Sequence, residues 1–292
     1  MKELLEKLKQ KDQRALAKLI TYVENNTENN FVDDLWTNDS FVIGITGSPG
    51  AGKSSLVNAL ISEIRATEKT VGVIAVDPTS PFTGGAFLGD RIRMKKHFLD
   101  KGVFIRSMGS GNSLGGLNES IFDVIKLMDA FGFDYILIET VGAGQSEIDI
   151  VNVSDLVTLV LSPGAGDEIQ LLKAGIMEIG DIYVINKADL DGTASLKIQL
   201  EHILSLSNSK KTIVETIATS GKGIKQLLEN INDLLNKFKE NGELNTRKKQ
   251  RQKRHAETIV IRKVKEIISK IEPEERVSTL VEKTLNKLCG II

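Results

Sequence analysis

The sequence of 292 residues predicts a doubly wound α/β fold with a mostly parallel sheet and helical extensions at both ends. Short apolar runs alternate with segments whose apolar residues recur every three to four positions, which is typical of parallel strands joined by crossover helices. The strand-like runs are 41–46, 71–76, 135–138, 156–161, 182–185 and 212–217. Because these runs are almost continuously apolar, they indicate strands buried on both faces of the sheet.

Residues 1–36 precede the first strand and are predicted to form an N-terminal helical extension. Their apolar residues recur at helical spacing, which predicts one or two amphipathic helices. The first eleven residues alternate charge with leucine and lack a long apolar segment, so no secretory signal is expected. Glu3 and Glu6 also disfavour a mitochondrial transit peptide, which is poor in acidic residues.

Residues 37–240 are predicted to form the sheet domain, and residues 241–292 a C-terminal helical hairpin outside the sheet. Six basic residues crowd into 247–254, which indicates a solvated helix face or a surface for nucleic acid or lipid. Beyond them, apolar residues recur at near-heptad spacing on both sides of Pro273. Such a stripe packs on its own domain or pairs with a second subunit.

Composition excludes several function classes. The 38 Lys and Arg residues nearly balance the 39 Asp and Glu residues, so no global field favours a nucleic-acid partner. No apolar run approaches the roughly 20 residues that span a bilayer, so no membrane segment is expected. Cys289 is the single cysteine, which excludes an intramolecular disulfide and fits the cytoplasm.

The strongest motif begins where the first predicted strand ends. It matches G-x-x-x-x-G-K-[ST] in full and is followed by a helical pattern. The glycines allow several backbone N–H groups to point at one phosphate, beside the positive end of the helix. Lys53 is expected to bridge the β- and γ-phosphates, and Ser54 to bind Mg²⁺. The predicted phosphate site consists of Gly47, Ser48, Pro49, Gly50, Ala51, Gly52, Lys53, Ser54 and Ser55.

A second motif selects the base. Strand 182–185 runs into Asn186, Lys187, Ala188 and Asp189, the N-K-x-D pattern of GTP-binding proteins. A carboxylate at Asp189 can accept hydrogen bonds from N1–H and the exocyclic amine of guanine, whereas adenine offers neither donor there. The base-contacting loop after the next strand is predicted to be Ser220, Gly221 and Lys222. The order of these motifs favours GTP over ATP.

Switch residues are expected between these two motifs. Strand 135–138 leads into Glu139, Thr140, Val141 and Gly142, which is similar to the D-x-x-G element with Glu in place of Asp. Glu139 is expected at Mg²⁺ or at the attacking water, and the Gly142 N–H at the γ-phosphate. Ala143 stands where many small GTPases place a glutamine, so we expect slow intrinsic hydrolysis that a bound partner accelerates.

Two further carboxylates are candidates for the metal site. Asp77 follows the second strand, and Asp90 closes the Gly-rich segment that begins there. Both are predicted near Mg²⁺, and Asp90 also near the attacking water, with Arg91 and Arg93 as charge stabilisers. The alternatives are that Asp77 forms a turn with Pro78 and that Asp90 caps a helix.

In this order the motifs resemble the MeaB/ArgK family, the methylmalonyl-CoA mutase-associated GTPases. The resemblance covers about residues 35–290. It depends on GSPGAGKSS at 47–55, AVDPTSP at 75–81, GAFLGDRIRM at 85–94, ETVGAGQSE at 139–147, PGAGDEIQ at 163–170 and NKADLDG at 186–192. In two places the chain departs from better-known members, in its base loop at 218–222 and in its short N-terminal helices.

The resemblance implies a GTPase that binds GTP or GDP with Mg²⁺ and forms a homodimer through its helical extension. It also implies a partner, an adenosylcobalamin-dependent acyl-CoA mutase, for which the GTPase gates cofactor loading or removal. Methylmalonyl-CoA mutase and isobutyryl-CoA mutase use similar partners. A third, mobile switch is implied at 164–170, with Lys173 as a further participant.

Three other functions compete with this interpretation. A nickel metallochaperone GTPase would share the nucleotide site, but it needs ligands that the scattered His97, His202, His255 and Cys289 do not supply in sequence. A small-molecule kinase would pass the phosphate to an acceptor, and the guanine motif disfavours it. A scaffold that binds GTP without turnover would not lose a catalytic activity when Lys53 is replaced by alanine.

Overall fold

The computed structural model describes residues 1–26, 29–77, 90–110, 117–142, 146–164, 176–206, 211–272 and 277–290, with the backbone alone at 30, 90–93, 146 and 176. The strands are β1 (Phe41–Gly47), β2 (Val71–Asp77), β3 (Val103–Gly109), β4 (Tyr135–Glu139), β5 (Leu156–Leu161), β6 (Ile182–Asn186) and β7 (Thr212–Thr216). The helices are α1 (Lys2–Lys9), α2 (Gln13–Asn25), α3 (Lys53–Ala66), α4 (Ile121–Phe131), α5 (Ser146–Asp149), α6 (Ile176–Ile179), α7 (Thr193–Leu206), α8 (Ile224–Glu240), α9 (Glu243–Ser269) and α10 (Val277–Cys289). Stretches of 3-10 helix lie at Asn30–Val32, Asp90–His97 and Ile150–Asn152.

The seven strands form one sheet in the order β3-β2-β4-β1-β5-β6-β7, and all the strand pairs are parallel. The predicted α/β fold with a doubly wound parallel sheet and helical ends is confirmed. Six of the strands correspond to the six apolar runs of the sequence. The seventh, β3, lies at an edge and includes the polar Arg106 and Ser107, so it does not form a continuous apolar run.

Side chains of alternate strand residues form two cores on opposite faces of the sheet. On one face Ile43, Ile45 and Leu137 pack with α3 and α8. On the other face Val42, Ile136 and Val157 pack with α1, α2 and α4. A smaller cluster on that second face joins β5 and β6 to α7. Covered faces explain why the strands are apolar throughout, as the sequence predicts.

The N-terminal helices belong to the main core. Leu8, Leu16, Leu19 and Ile20 are fully buried in the cluster that also holds α4. Asp12 caps α2 by accepting a hydrogen bond of 2.7 Å from the N–H of Arg14, which fixes the start of the helix. The two short helices are therefore part of the packed domain.

The described chain divides into two compact units, Met1–Arg247 and Lys248–Ile292. In the second unit α9 continues and α10 follows. Both helices expose apolar side chains, namely Val260, Ile261, Ile268, Val277, Val281 and Leu285. The boundaries predicted from sequence at 36 and 240 stay a prediction. Among the described residues, no helix is long and apolar enough to cross a membrane.

Candidate nucleotide-binding site

The predicted site residues gather at the carboxyl edge of the sheet. In a parallel sheet all the strands end at this edge, and ligands of doubly wound folds bind there. Strand β1 ends at Gly47, its neighbour β4 at Glu139, and β2, next to β4, at Asp77. On the other side of β1, strand β6 ends at Asn186. The sheet order thus brings together motifs that lie up to 139 residues apart, from Gly47 to Asn186.

The phosphate loop connects β1 to α3 in a tight turn. Gly52 has a φ of 89° and caps α3, and Lys53 and Ser54 begin that helix as buried residues. The Lys53 ammonium group donates hydrogen bonds of 2.7 and 3.0 Å to the carbonyl oxygens of Gly47 and Ser48. A side chain at Gly47 would meet the carbonyl oxygen of Val160 at 2.0 Å, so the loop needs glycine at this close approach to β5.

Two of the predicted magnesium ligands are in direct contact. The Ser54 hydroxyl donates a hydrogen bond of 2.5 Å to Oε1 of Glu139. Asp77 is buried at the end of β2, the strand next to β4. A hydroxyl and carboxylates are hard oxygen donors of the kind that Mg²⁺ prefers, and Mg²⁺ usually takes its remaining ligands from phosphates and water. The arrangement therefore fits the ion, although no group of three or more His, Cys, Asp or Glu side chains among the described residues could hold a metal alone.

The segment after β4 is tied to β1 and to Lys53. The Thr140 hydroxyl donates a hydrogen bond of 3.0 Å to the Thr46 hydroxyl, and its N–H donates to the carbonyl of Ile45 at 3.1 Å. Gly142 has a φ of 95°, and a side chain there would meet the Lys53 ammonium at 2.3 Å. Gly142, whose N–H is predicted to contact the γ-phosphate, thus lies directly against Lys53.

Several predicted residues lie outside the described part of the chain. These are the side chain of Asp90, the side chains of Arg91 and Arg93, and the whole of Pro78, Ala143, 165–170 and Lys173. The backbone of Asp90 begins the 3-10 stretch Asp90–His97, which is kinked at Met94. The roles predicted for these residues stay predictions.

Asn186 joins the phosphate loop to the base side of the site. Its amide group donates a hydrogen bond of 2.9 Å to the carbonyl of Ala51. Its amide oxygen accepts hydrogen bonds from the hydroxyl of Thr216 and the N–H of Ala218, both at 3.1 Å. One buried side chain therefore connects three segments, and a side chain at Gly52 would meet the same amide at 2.4 Å.

A cleft of about 230 Å³ opens beside Asn186. Its walls are formed by Gly52, Ser55, Asn186, Lys187, Asp189, Leu190, Ile217, Ala218 and Thr219. Asp189 is thus on the cleft wall, as guanine recognition requires. Ser220, Gly221 and Lys222 do not belong to these walls; they are exposed and close a turn in which Ile217 pairs with Lys222. The loop that faces the cleft is 217–219, directly after β7.

Sequence reasoning overlooked one buried acid at the site. Glu147 is 4% exposed on α5, and burial raises the pKa of its carboxyl while the charge of Lys53 lowers it to a smaller extent. The signal in the sequence was weak, because Glu147 belongs to the polar end of a motif that also holds Glu139.

Comparisons with known proteins show which proteins this chain resembles. A family model described as methylmalonyl Co-A mutase-associated GTPase MeaB matches residues 16–272. A protein of Pyrococcus horikoshii, provisionally named a GTPase, is 47% identical over an alignment of 299 positions. The alignment covers 97% of this chain and 94% of that protein. The GTPase ArgK of Escherichia coli is 35% identical over 204 residues, 67% of this chain and 62% of its own. A Mus musculus protein named as a mitochondrial methylmalonic aciduria type A homolog is 34% identical over 213 residues, 70% of this chain and 51% of its own.

Solved structures show the same fold. The crystal structure of an LAO/AO transport system kinase superposes with a TM-score of 0.69 at 23% identity, over 98% of this chain and 96% of that one. The hydrogenase maturation factor HypB from Archaeoglobus fulgidus gives a TM-score of 0.51 at 20% identity, over 80% of this chain and 98% of that one.

The fold and the phosphate loop define a P-loop GTPase, an enzyme that hydrolyses GTP. Within that class the chain belongs to the MeaB family of methylmalonyl-CoA mutase-associated GTPases, because the family model covers most of its length.

Proposed function

We propose that this GTPase is a chaperone for an adenosylcobalamin-dependent acyl-CoA mutase, with methylmalonyl-CoA mutase as the first candidate. It would use GTP to gate cofactor loading, or to protect and reactivate the mutase. The observation that carries this proposal is the family match over residues 16–272, whose description names association with that mutase. Relatives named as methylmalonic aciduria type A homologs support it, since their name and the family description both refer to the methylmalonyl group.

Within the site, we assign the phosphate groups to the loop 47–55 and to Lys53. In the described structure the Lys53 ammonium group donates to two loop carbonyls, so entering phosphates would replace these acceptors with stronger, charged ones. The N–H groups of the loop and the start of α3 would hold the β-phosphate. Gly142, which lies against Lys53, would present its N–H to the γ-phosphate.

Ser54, Glu139 and Asp77 would hold Mg²⁺, and Asp90 is a further candidate ligand. The short hydrogen bond between Ser54 and Glu139 supports this assignment, because it draws two hard oxygen donors to one point. When bound, Mg²⁺ supplies positive charge that offsets the charge developing on the phosphate oxygens. The protein's own contribution is to keep these oxygens at the end of adjacent strands.

Guanine would lie in the cleft walled by Asp189 and residues 217–219. The N–H of Ala218 is already donated to Asn186, whereas Thr219 makes no hydrogen bond with any described residue. We therefore assign the contact with guanine O6 to the N–H of Thr219 and not to Ser220, Gly221 or Lys222. Asp189 would accept from N1–H and the exocyclic amine.

Dimerisation and the cytoplasm complete the proposal. The apolar side chains exposed on α9 and α10 offer a surface on which a second subunit can pack, which supports a homodimer. The near-neutral charge of the chain and its single cysteine support a cytoplasmic protein with no nucleic-acid or membrane partner.

The test is affinity purification of the tagged protein from native extract with a non-hydrolysable GTP analogue. A cobalamin-dependent mutase should be retained in the presence of the analogue and reduced with GDP. The matched control is the Asp189→Asn variant, which should not retain the mutase in response to the guanine analogue. If no such mutase is found in repeated experiments, the chaperone role is wrong, while the GTPase assignment is unaffected.

A further inference from the structure

Glu147 is a buried acid that the GTPase mechanism outlined above does not use. It lies on α5, a single helical turn that follows the segment of Glu139 and Gly142. Its side chain is 4% exposed, and its Oε1 is buried without a hydrogen-bond partner among the described residues. Buried carboxylates are almost always hydrogen-bonded, so an exception calls for a functional reason.

The orientation of α5 makes this burial more unusual. Glu147 points inward, whereas the apolar Ile148 next to it is 41% exposed, as is Val151. Folding driven by burial alone would favour the opposite arrangement, with the apolar residue inside and the acid in water. The burial of this carboxylate therefore lowers the free energy of unfolding relative to the opposite arrangement.

The ammonium of Lys53 attracts the Glu147 carboxylate. Burial raises the pKa of Glu147, and the positive charge of Lys53 lowers it to a smaller extent. The Lys53 ammonium also donates hydrogen bonds to the carbonyls of Gly47 and Ser48 in the phosphate loop. Charges in a buried site interact more strongly than in water, so this attraction is stronger than it would be at an exposed surface.

We propose that Glu147 is a positioning residue that stabilises the Lys53 ammonium in the nucleotide-free protein and opposes the phosphate groups that Lys53 binds. This inference depends on the proposed phosphate site. When a nucleotide is bound, its phosphate oxygens pair with the Lys53 ammonium. The Glu147 carboxylate then faces the negative charge of these phosphates. Repulsion between them weakens nucleotide binding and pushes on α5, which follows Gly142 in the sequence.

The experiment compares nucleotide affinity of the wild-type protein with that of Glu147→Gln and Glu147→Met. Both variants keep the length of the side chain and remove its charge. We expect GTP and GDP to bind on the order of three- to tenfold more tightly, because a repulsive charge is lost from the bound state and an attractive one from the free state. Glu229→Gln, an exposed change on α8, is the matched control and should leave affinity unchanged.

A second measurement uses GMP, which lacks the β- and γ-phosphates that Lys53 is proposed to bind. Its affinity should be the same in all the variants, whereas a general change in the shape of the site would alter it too. Thermal unfolding of each variant by circular dichroism establishes that the protein is folded.

Unchanged or weaker GTP and GDP binding in both folded charge-removing variants would overturn the inference. Failure of the proposed phosphate site is distinguishable, since in that case the wild-type protein itself would not bind GTP. Failure of the chaperone role would leave these nucleotide affinities unaffected. Equal tightening of GMP would also contradict the proposal, because it would separate the effect from the phosphates.

Discussion

At the scale of single residues, we predict that selectivity for guanine depends on the carboxylate of Asp189. It stands on the wall of the cleft between Lys187 and Leu190, in a turn that begins where β6 ends. Lys187 adopts a φ of 57°, a left-handed conformation that is uncommon outside glycine. This turn aims the following residues at the cleft, and its stability comes from the Ala188 N–H, which donates to the carbonyl of Thr216 at 3.1 Å.

Replacement of Asp189 by asparagine should change the preferred base. An amide donates where the carboxylate accepts, so it repels the exocyclic amine of guanine and fits the C2 carbonyl of xanthine. We expect GTP affinity to fall on the order of 100-fold or more and xanthosine triphosphate affinity to rise. Competition binding with the two nucleotides measures both. If the variant kept full GTP affinity, Asp189 would not be a base contact.

His97 should make stability depend on pH. It is buried beside α3, with Nε2 at 3.2 Å from the carbonyl of Asn58. Burial lowers the pKa of His97, with Lys96 and Arg65 adding to this and Asn58 and Asp100 opposing it. The unfolded chain therefore binds a proton at higher pH than the folded protein, and stability is lost as pH falls below about 6.5.

The expected loss is at most about 1.4 kcal/mol per pH unit, in the window between the unfolded pKa near 6.5 and the lower folded one. Urea unfolding at pH 7.5 and 5.5 measures it, and the difference should shrink in His97→Gln. The exposed His202→Gln is the control and should behave as the wild type. An unchanged pH dependence in His97→Gln would contradict the assignment to this group.

Single residues also show how far the site could be predicted from the sequence. The phosphate loop and Asp189 were predictable, because phosphate and guanine demand particular groups at particular spacing. The sequence predicts the base loop at 220–222, whereas residues 217–219 line the cleft. The Asn186 amide oxygen accepts a hydrogen bond from the N–H of Ala218 and so holds this residue beside the cleft. A tertiary hydrogen bond of this kind leaves no pattern in the sequence.

At the scale of elements, the start of α9 is held by one arginine. Both terminal guanidinium nitrogens of Arg247 donate to the carboxylate of Asp181, at 2.7 and 2.9 Å. The same group lies 4.4 Å from the ring centre of Phe238 and donates to the carbonyl of Asp155. The sequence shows only a basic run here, which predicts a solvated face, because its pattern cannot reveal that one member of the run reaches a buried aspartate.

Replacement of Arg247 by alanine should lower the free energy of unfolding by about 2–3 kcal/mol, somewhat less than the loss of a fully buried partner. Asp181 is 6% exposed and would be left without its bidentate partner. Chemical denaturation gives the value. The control is Arg254→Ala on the same helix, whose exposed pair with Glu257 should contribute less than about 1 kcal/mol. Equal effects of the two changes would contradict the special role of Arg247.

The strands also show which parts of the fold the sequence pattern does and does not predict. Central strands covered on both faces are predictable from their apolar runs alone, whereas β3 at the edge of the sheet combines buried residues with several that are only partly buried. Its Arg106 reaches Glu24 of α2 as a largely buried ion pair. An arginine within a strand-like run weakens the sequence pattern, although in the fold it fastens the edge strand to the N-terminal helices.

At the scale of the whole molecule, the last helix exposes apolar side chains on which a partner can pack. Val277, Val281 and Leu285 follow one another at intervals of four on α10 and are 76%, 51% and 54% exposed. Such a stripe on a described surface fits a subunit interface. The double change Val281→Glu and Leu285→Glu should convert the proposed dimer to a monomer in analytical ultracentrifugation.

The matched control for this change is Ser278→Glu, an exposed position outside the stripe on the same helix. It adds charge without removing apolar surface and should leave the dimer intact. Nucleotide binding should be retained in both proteins, because the site is formed within residues 1–247. A wild-type protein that is monomeric at all concentrations would show that the stripe has another role.

The amide of Asn186 connects the phosphate loop to the loop at 217–219 by direct hydrogen bonds. Since the Asn186 side chain donates to Ala51 and accepts from Thr216 and Ala218, we expect a movement of the base loop to be transmitted to the phosphate loop. A nucleotide whose base fits badly would thus be held loosely by its phosphates as well, and discrimination between purines would extend to how long a bound triphosphate survives.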